Sequence, residues 1–468
     1  MPEEVIGENH HMVDTNKSPK HKPNLFYDDV LFEILSFNSD FQFMVNCALV
    51  SKQWFAVISE RSKVFLRCEN TMKPPQGQFL ANISTLEFER RTDAFDFKVF
   101  ALMKHVTSLE IDDNIEGTTN ENGIGVEGAK HVSEMKQLTN LYVNANNIGT
   151  EGAKFLRELK NLTYLNISEN DIGVEGAKYI SELKQLTDLD ISYNNIGTEG
   201  AKYISDLKQL TTLDIESNNI GTEGAKYISE LNQLQVLNIS YSSLGDKGAQ
   251  YISEMKQLTH LYISDSLIRS EGAKYISEMK QLTNLFIENN DIDDEGAKHI
   301  STMKELTKLY MQGNRLISDE GAKYLSELKN LTVLFIGDNR IGNEGAKHLS
   351  ELKNLTSIYV SYTEIGDEGA KYLSELNKLT ILQIGYNGIG AEGAKHISNL
   401  KELTMLKIQY NNIGNEGAKY ISELKQLTDL DISYNNIGTE GADYLSQMKQ
   451  LTHLEIETNS DAEEGENM

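Results

Sequence analysis

The chain has 468 residues, and 70 acidic residues against 44 Lys and Arg give it a formal net charge of -26. No stretch approaches the roughly 18 consecutive apolar residues of a membrane-spanning helix, and the acidic N-terminus lacks the apolar segment of a secretory signal. Nucleic acids bind through an excess of Lys and Arg, so we expect neither a nucleic-acid nor a membrane partner. The two cysteines, Cys47 and Cys68, are too few for a disulfide framework and predict a cytoplasmic or nuclear location.

The first 80 residues differ in composition from the rest, since all five prolines lie within residues 1–75. Residues 1–23 are polar and charged, which predicts a disordered tail. Residues 24–68 are dense in large apolar side chains and predict a small all-α module. The Pro-Pro-Gln-Gly sequence in residues 69–80 predicts a linker.

Two apolar stretches, residues 25–37 and 41–58, predict the helices of this module, and the second contains the only tryptophan, Trp54. Apolar residues on one face of the first helix are Val30, Leu31, Ile34 and Leu35. So small a module cannot bury all of its large side chains, so we expect part of its surface to contact a partner.

The remainder of the chain is built from about 16 repeats spanning residues 81–459, followed by an acidic tail at 460–468. The period is 24 residues, and one unit, between Leu306 and Leu331, has 25. Within a unit, L-x-x-L-x-[IVM]-x-x-N alternates as in a strand, whereas E-G-A-K-[YHF]-[IL]-S-E-[LM]-K has the apolar spacing of a short helix. One unit cannot bury its apolar side alone, so stacked units must share a core.

This pattern resembles the leucine-rich repeat family over residues 81–459. The resemblance implies an α/β solenoid in which parallel strands line the concave face and helices the convex face. It assigns the asparagine at the ninth position of each unit to hydrogen bonds with the backbone of the turns. Ser242, Ser266 and Thr363 replace that asparagine, which predicts a weaker asparagine column in the middle of the array.

The apolar module resembles the F-box motif in its segments Leu25, 29–31, 34–37 and 48–54, although Phe26 stands where that family usually has proline. The resemblance implies docking onto the adaptor subunit of a cullin-RING (SCF-type) ubiquitin ligase. An F-box followed by leucine-rich repeats is a recurrent arrangement in substrate receptors of that ligase. The residues that the resemblance assigns to adaptor binding are Leu25, Val30, Leu31, Ile34, Leu35, Leu49, Val50 and Trp54.

Aromatic residues cluster at positions expected on the concave face. The residue between the conserved Leu and Ile of the strand is aromatic in five consecutive units, at Tyr262, Phe286, Tyr310, Phe335 and Tyr359. The eighth position of later units adds Tyr362, Tyr386, Tyr410 and Tyr434. These rings either bind a protein substrate as a hot spot or stack across strands to stabilise the sheet. We take all but Tyr434 as candidate substrate-binding residues.

Acidic residues occupy the same face in earlier units, at Asp188, Asp190, Asp214 and Glu216. They form either a solvated surface or a docking site for a basic segment of the substrate. Their spacing follows the repeat and does not match a calcium-binding loop, so no metal site is predicted.

No catalytic or cofactor site is expected. Cys47 lies in an apolar helical stretch, and Cys68 has no nearby histidine to activate it. The repeated Gly-x-x-Gly-Ala lacks the Gly-Lys-Ser/Thr of a phosphate loop. The sequence therefore favours a non-enzymatic substrate receptor of the ligase, and the alternative is an interaction scaffold whose N-terminal module only caps the solenoid.

Overall fold

The computed structural model describes residues 65–68, 85–89, 105–112 and 123–457. Within these ranges, seventeen strands form one sheet, and each strand pairs in parallel with the next strand along the chain. A helix follows each strand from the third, Ser108–Asp112, to the sixteenth, Asp429–Asp431. The predicted α/β solenoid, with strands on the concave face and helices on the convex face, is confirmed.

The strands are β1 (Phe65–Cys68), β2 (Thr85–Glu89), β3 (Ser108–Asp112), β4 (Asn140–Tyr142), β5 (Tyr164–Asn166), β6 (Asp188–Asp190), β7 (Thr212–Asp214), β8 (Val236–Asn238), β9 (His260–Tyr262), β10 (Asn284–Phe286), β11 (Lys308–Tyr310), β12 (Val333–Phe335), β13 (Ser357–Tyr359), β14 (Ile381–Gln383), β15 (Met405–Lys407), β16 (Asp429–Asp431) and β17 (His453–Glu455).

The helices are α1 (Gly125–Val132), α2 (Gly149–Leu156), α3 (Gly173–Ile180), α4 (Gly197–Ile204), α5 (Gly221–Ile228), α6 (Gly245–Ile252), α7 (Ser270–Ile276), α8 (Asp294–Ile300), α9 (Asp319–Leu325), α10 (Asn343–Leu349), α11 (Asp367–Leu373), α12 (Ala391–Ile397), α13 (Gly414–Ile421) and α14 (Thr439–Ser446).

The sheet begins earlier in the chain than the repeat pattern indicates. Strand β1 lies inside residues 24–68, which the sequence assigned to an all-α module, and it pairs with β2 across the predicted linker. Backbone pairing depends little on side-chain identity, so a strand can extend a parallel sheet without carrying the repeat consensus. Within the described residues, the first strand of the sheet is therefore Phe65–Cys68.

The core is a continuous row of aliphatic side chains from both layers. The central leucines of the strands lie directly opposite one another, as Leu285 does with Leu261 and Leu309. In one unit, Leu165 from the strand and Ile180 from the helix are both fully buried. Burying a side chain of this size contributes about 1.5–3 kcal/mol. Because every unit repeats this burial against its neighbours, the repeats stabilise one another in sequence order.

The asparagine column bridges consecutive turns as predicted. The Asn170 Oδ1 accepts the backbone N–H groups of Asn146 and Ile148, each at 3.0 Å. Its Nδ2 donates to the Val143 carbonyl at 2.8 Å. One buried carboxamide thus satisfies backbone groups of two repeats that water cannot reach.

The column weakens where the asparagine is replaced. The hydroxyls of Ser242 and Ser266 each donate to a carbonyl two residues earlier, at 3.1 and 3.0 Å, and so serve only their own turn. Thr363 retains part of the connection, because its hydroxyl donates to the Asn387 Oδ1 at 2.6 Å. The predicted interruption in the middle of the array is confirmed.

Candidate protein-binding surface

Five aromatic rings form a continuous stack across strands β9 to β13 on the concave face. We call Tyr262, Phe286, Tyr310, Phe335 and Tyr359 the central ladder. The ring centroids of successive pairs lie 4.0, 4.3, 4.5 and 5.5 Å apart, and the planes of each pair differ by 14–25°.

The sheet geometry explains this stack. Parallel strands lie about 4.8 Å apart, close to the distance at which aromatic rings stack. The strands pair in register, so Phe286 stands directly between Tyr262 and Tyr310. The neighbouring Leu285 and Ile287 fill the interior completely, so the rings must lie on the outer side of the sheet.

The rings of the central ladder stack across strands, as one of the two sequence interpretations expects, and substrate binding by these rings stays a prediction. Every ring of the ladder is half-buried. The faces of the inner rings are covered by their neighbours, which stabilises the sheet by about 0.5–1.5 kcal/mol per pair. The ring edges remain directed at the concave side, so a partner would meet edges and phenol groups.

The last ring of the central ladder depends on a glycine. A Cβ atom on Gly337 would lie only 2.4 Å from Cε1 of Tyr359, so a larger residue would displace this ring. The tilt of Tyr359 over Gly337 accompanies the wider 5.5 Å separation from Phe335. The ladder therefore ends at this strand, where the next residue in the column is Gln383.

A second stack lies on the turns that follow strands β13 to β16. We call Tyr362, Tyr386, Tyr410 and Tyr434 the tyrosine ladder. Its ring centroids are 4.0, 4.1 and 4.3 Å apart. All four residues have φ of 55–56°, a left-handed conformation that costs a residue with a Cβ about 1–2 kcal/mol. Stacking offsets part of this cost, and Tyr362 and Tyr410 are still 50% and 42% exposed.

Negative charge lies beside the first ring of the central ladder. The side chain of Asn238 donates to Asp214 at 3.0 Å and to Glu216 at 2.7 Å. Burial, together with the charge of Asp190, raises the pKa of Asp214 to about 6. Burial and the charge of Asp214 raise the pKa of Tyr262 as well. These acidic side chains are close enough to influence a ligand on the ladder.

Charged groups also flank the middle of the central ladder. Glu288, on the turn side, accepts hydrogen bonds from Ser264 and, at 3.4 Å, from Gln312, and burial raises its pKa. On the other side, burial and the nearby Lys308 lower the pKa of His260. The sequence analysis missed these flanking groups, which the two columns beside the aromatic column would have shown.

The predicted adaptor-binding residues lie outside the described residues. They are Leu25, Val30, Leu31, Ile34, Leu35, Leu49, Val50 and Trp54. The tail at 1–23, the linker at 69–80 and the acidic tail at 460–468 lie outside as well.

Two further searches cover the part of the chain that the structure describes. No group of His, Cys, Asp or Glu there is arranged to hold a metal ion. No helix in the same ranges combines the length and the apolar character that crossing a membrane requires.

Comparison with known families and structures identifies the repeats. The model of a leucine-rich repeat region matches residues 226–467, just over half of the chain, and further leucine-rich repeat models match residues 136–196 and 208–229. Comparison with curated proteins finds no match.

Two solved structures have a similar fold. An internalin of Listeria monocytogenes is 23% identical with a TM-score of 0.52, and the match covers 70% of this chain and 93% of the internalin. A leucine-rich repeat protein of Leptospira interrogans is 24% identical with a TM-score of 0.53, over 79% of this chain and 87% of that protein. These two matches show the fold, and the family model over residues 226–467 shows that the chain belongs to the leucine-rich repeat family.

Proposed function

We propose that the concave face binds a protein through the central ladder. The observation that carries this proposal is a run of five half-buried rings on consecutive strands, with their edges open and the interior already filled. Aromatic side chains are enriched among the residues that dominate binding energy at protein interfaces. Contiguous apolar patches on a protein surface are typical of sites that bind other proteins.

The stacking restricts the mode of contact. Because the faces of Phe286, Tyr310 and Phe335 are covered, a cation of the partner cannot sit over them. Aliphatic side chains packed against the ring edges fit this surface better. A basic group of the partner would instead reach Asp214 and Glu216, next to Tyr262.

We further propose that the chain is a substrate receptor of a cullin-RING (SCF-type) ubiquitin ligase. The support for this step is the resemblance of residues 24–68 to the F-box motif, with Leu31 and Trp54 among the residues assigned to the adaptor. In this role the chain supplies no reacting group. It raises the effective concentration of the substrate near the catalytic subunits of the ligase.

An interaction scaffold without a ubiquitin role is the alternative, and a binding experiment separates the two. The full chain is mixed with the purified adaptor subunit, alone and with Leu31→Ala plus Trp54→Ala. A stable complex that the double variant loses supports the receptor. If the adaptor does not co-elute, or co-elutes equally with both chains, only the scaffold remains.

The concave surface is tested with matched triple variants. One replaces Phe286, Tyr310 and Phe335 by Ala, and its control removes three convex-face rings, Tyr179, Tyr203 and Tyr227. Proteins captured by the native chain are compared with those captured by each variant, and calorimetry then measures the affinity of a captured partner. We expect the ladder variant alone to lose binding, by about 2 kcal/mol for each central ring.

Thermal unfolding shows whether the ladder variant loses binding because the rings are missing or because the chain no longer folds. The ladder variant should still unfold cooperatively, although the loss of stacking lowers its melting temperature. If the ladder variant binds like the native chain, or if both triple variants lose binding equally, the concave face is not the protein-binding surface.

A further inference from the structure

The two aromatic ladders differ in one chemical respect. The central ladder alternates tyrosine and phenylalanine, so a phenylalanine separates each of its tyrosines from the next. The tyrosine ladder has a phenol at every step, and its rings are nearly parallel, with 16–17° between neighbouring planes. Among the described residues, the tyrosine ladder alone stacks more than two phenol rings in succession.

The tyrosine ladder also has a proton acceptor at one end. The Tyr434 hydroxyl donates to a carboxylate oxygen of Glu457. This bond raises the pKa of Tyr434 to about 12. Burial and hydrogen bonds with Tyr362 and Tyr410 raise the pKa of Tyr386. Tyr386 and Tyr434 therefore keep their protons at neutral pH, and Glu457 can receive the proton that Tyr434 releases when it loses an electron.

We propose that the tyrosine ladder is an oxidative modification site at which a one-electron oxidant of the peroxidase class forms dityrosine cross-links between neighbouring repeats. Two phenols each give one electron to the oxidant and one proton to a base, with Glu457 as the base for Tyr434. The two phenoxyl radicals then form a carbon–carbon bond between their ortho positions. After proton shifts restore both phenols, two tyrosines have become one dityrosine, two protons and two electrons, and the oxidant has been reduced by two equivalents.

Exposure alone does not predict dityrosine formation, as Tyr193, an unstacked tyrosine at the same position of an earlier repeat, shows. Tyr193 is 50% exposed, has φ of 53° and donates its hydroxyl to Glu216 at 3.0 Å. The residues beside it in that column are Glu169 and Ser217. Tyr193 can therefore be oxidised as readily as Tyr434 but has no stacked phenol with which to couple.

The test uses the full chain, photo-oxidised with tris(bipyridine)ruthenium(II) and persulfate as the one-electron oxidant. Lysines separate the four ladder tyrosines from one another, so trypsin places each tyrosine in its own peptide. We expect mass spectrometry to find peptides cross-linked between Tyr362 and Tyr386, Tyr386 and Tyr410, or Tyr410 and Tyr434. Tyr193 should carry oxygen additions and no cross-link. Tyr142 and Tyr164, a separate pair tilted by 31°, fall in other peptides and are not counted.

Two variants complete the experiment. Tyr386→Phe with Tyr434→Phe keeps the stack but leaves no two adjacent phenols, and it should lose every cross-link in the ladder. Tyr262→Phe with Tyr310→Phe removes two phenols from the central ladder and should keep them all. The proposal is overturned if Tyr193 is oxidised while the ladder peptides stay uncoupled. It is also overturned if mixing with isotope-labelled chain shows that the cross-links join different molecules.

Discussion

Helices in the two halves of the array begin in different ways, although the repeats share one consensus. Helices α1 to α6 start at a left-handed glycine with φ between 59° and 66°. Helices α7 to α12 follow a residue in extended conformation, with φ between -91° and -110°. Glycine itself adopts both forms, since φ is +66° at Gly221 and -102° at Gly390. The residue type at this position therefore does not decide its conformation.

The residue 23 positions earlier, in the preceding repeat, accounts for the difference. Asp367 accepts the backbone N–H groups of Gly390 at 2.7 Å and of Gly393 at 2.9 Å, and so caps the next helix. In the first half, Thr198 occupies that place and donates to the Ile220 carbonyl at 2.8 Å. The N–H of Gly221 then donates to the following repeat, to the Ser242 carbonyl at 2.9 Å.

The last repeats confirm that the side chain 23 positions earlier determines the conformation at the helix start. Ala391 offers no acceptor, and the following helix α13 returns to the left-handed start, with φ of 62° at Gly414. Asn415 offers one again, and it accepts the N–H groups of Gly438 and Gly441 at 2.8 and 3.1 Å. The conformation of one repeat is thus set by a side chain of its neighbour, which makes the stack cooperative at its surface as well as in its core.

Removing the cross-repeat cap should have the largest effect. Asp367→Ala leaves two N–H groups at the start of α12 without their charged acceptor, and we expect a loss of about 2 kcal/mol. Thr198→Ala removes one neutral bond and should cost about 0.5–1 kcal/mol. Hydrogen exchange of the α12 and α5 amides, with urea unfolding of each chain, measures both. Equal losses would mean that the cap contributes nothing beyond an ordinary surface hydrogen bond.

A pair of glycine substitutions tests the two helix starts directly. Gly221→Ala forces a Cβ into the left-handed region and should destabilise the chain by about 1–2 kcal/mol. Gly366→Ala, at an extended position, should be neutral or stabilise by about 0.5 kcal/mol. A Cβ meets nothing within 4 Å at Gly366 and only the Thr198 hydroxyl, at 3.8 Å, at Gly221, so clashes do not confuse the comparison. Urea unfolding with the same result for both would refute the assignment of two conformations.

Converting one left-handed helix start to the extended form should change stability less, and the effects of the two substitutions involved should depend on each other. Ala391→Asp supplies the missing acceptor and should switch Gly414 to the extended start, after which Gly414→Ala becomes tolerable. In a double-mutant cycle we expect a coupling free energy of about 1 kcal/mol between the two positions. The corresponding cycle of Val174→Thr with Gly414→Ala joins distant sites and should show none. Additive effects at 391 and 414 would show that the two residues act independently.

Whether a structural feature can be predicted from the sequence depends on how far apart in the chain the residues that determine it lie. The strand, the helix and the asparagine of a unit are decided within 24 residues, so the repeat pattern predicts them. The aromatic column on β9 to β13 also follows once the units are aligned, because the alternation of the strand places that column on the concave side. The helix starts do not follow from their own residues, since the acceptor for Gly390 belongs to the previous repeat.

The strand at Phe65 was missed for a related reason. It keeps only the central leucine of the strand consensus, Leu66, which pairs with Leu86, and the rest of its sequence does not follow the repeat. The flanking charges of the central ladder, Glu288 and Lys308, lie in the same columns as Glu216 and Asp188, so the repeat pattern places them on the concave face although they were not named there. A single chain therefore predicts what each repeat does alone better than what neighbouring repeats do together.

A half-buried carboxylate on the concave face of the first half, Asp214, offers a contrast that pH can test. Burial and the charge of Asp190 raise the pKa of Asp214 from 3.8 to about 6, so between these values the folded chain holds more protons than the unfolded chain. Stability therefore falls as pH rises through this window, and the cost is fully present above pH 6.

Asp214→Asn removes that cost but weakens the bond from Asn238, so we expect a small net gain of about 0.5 kcal/mol above the window. The gain should shrink as pH falls through this window, and little of it should remain at pH 4, because Asp214 is then protonated in the folded chain and its carboxyl is close to half protonated in the unfolded chain. Asp431→Asn, in the same column on β16, is the matched control. Thermal unfolding from pH 4 to pH 8 compares the three chains. A gain that does not change with pH would mean that packing, and not the buried charge, distinguishes Asp214.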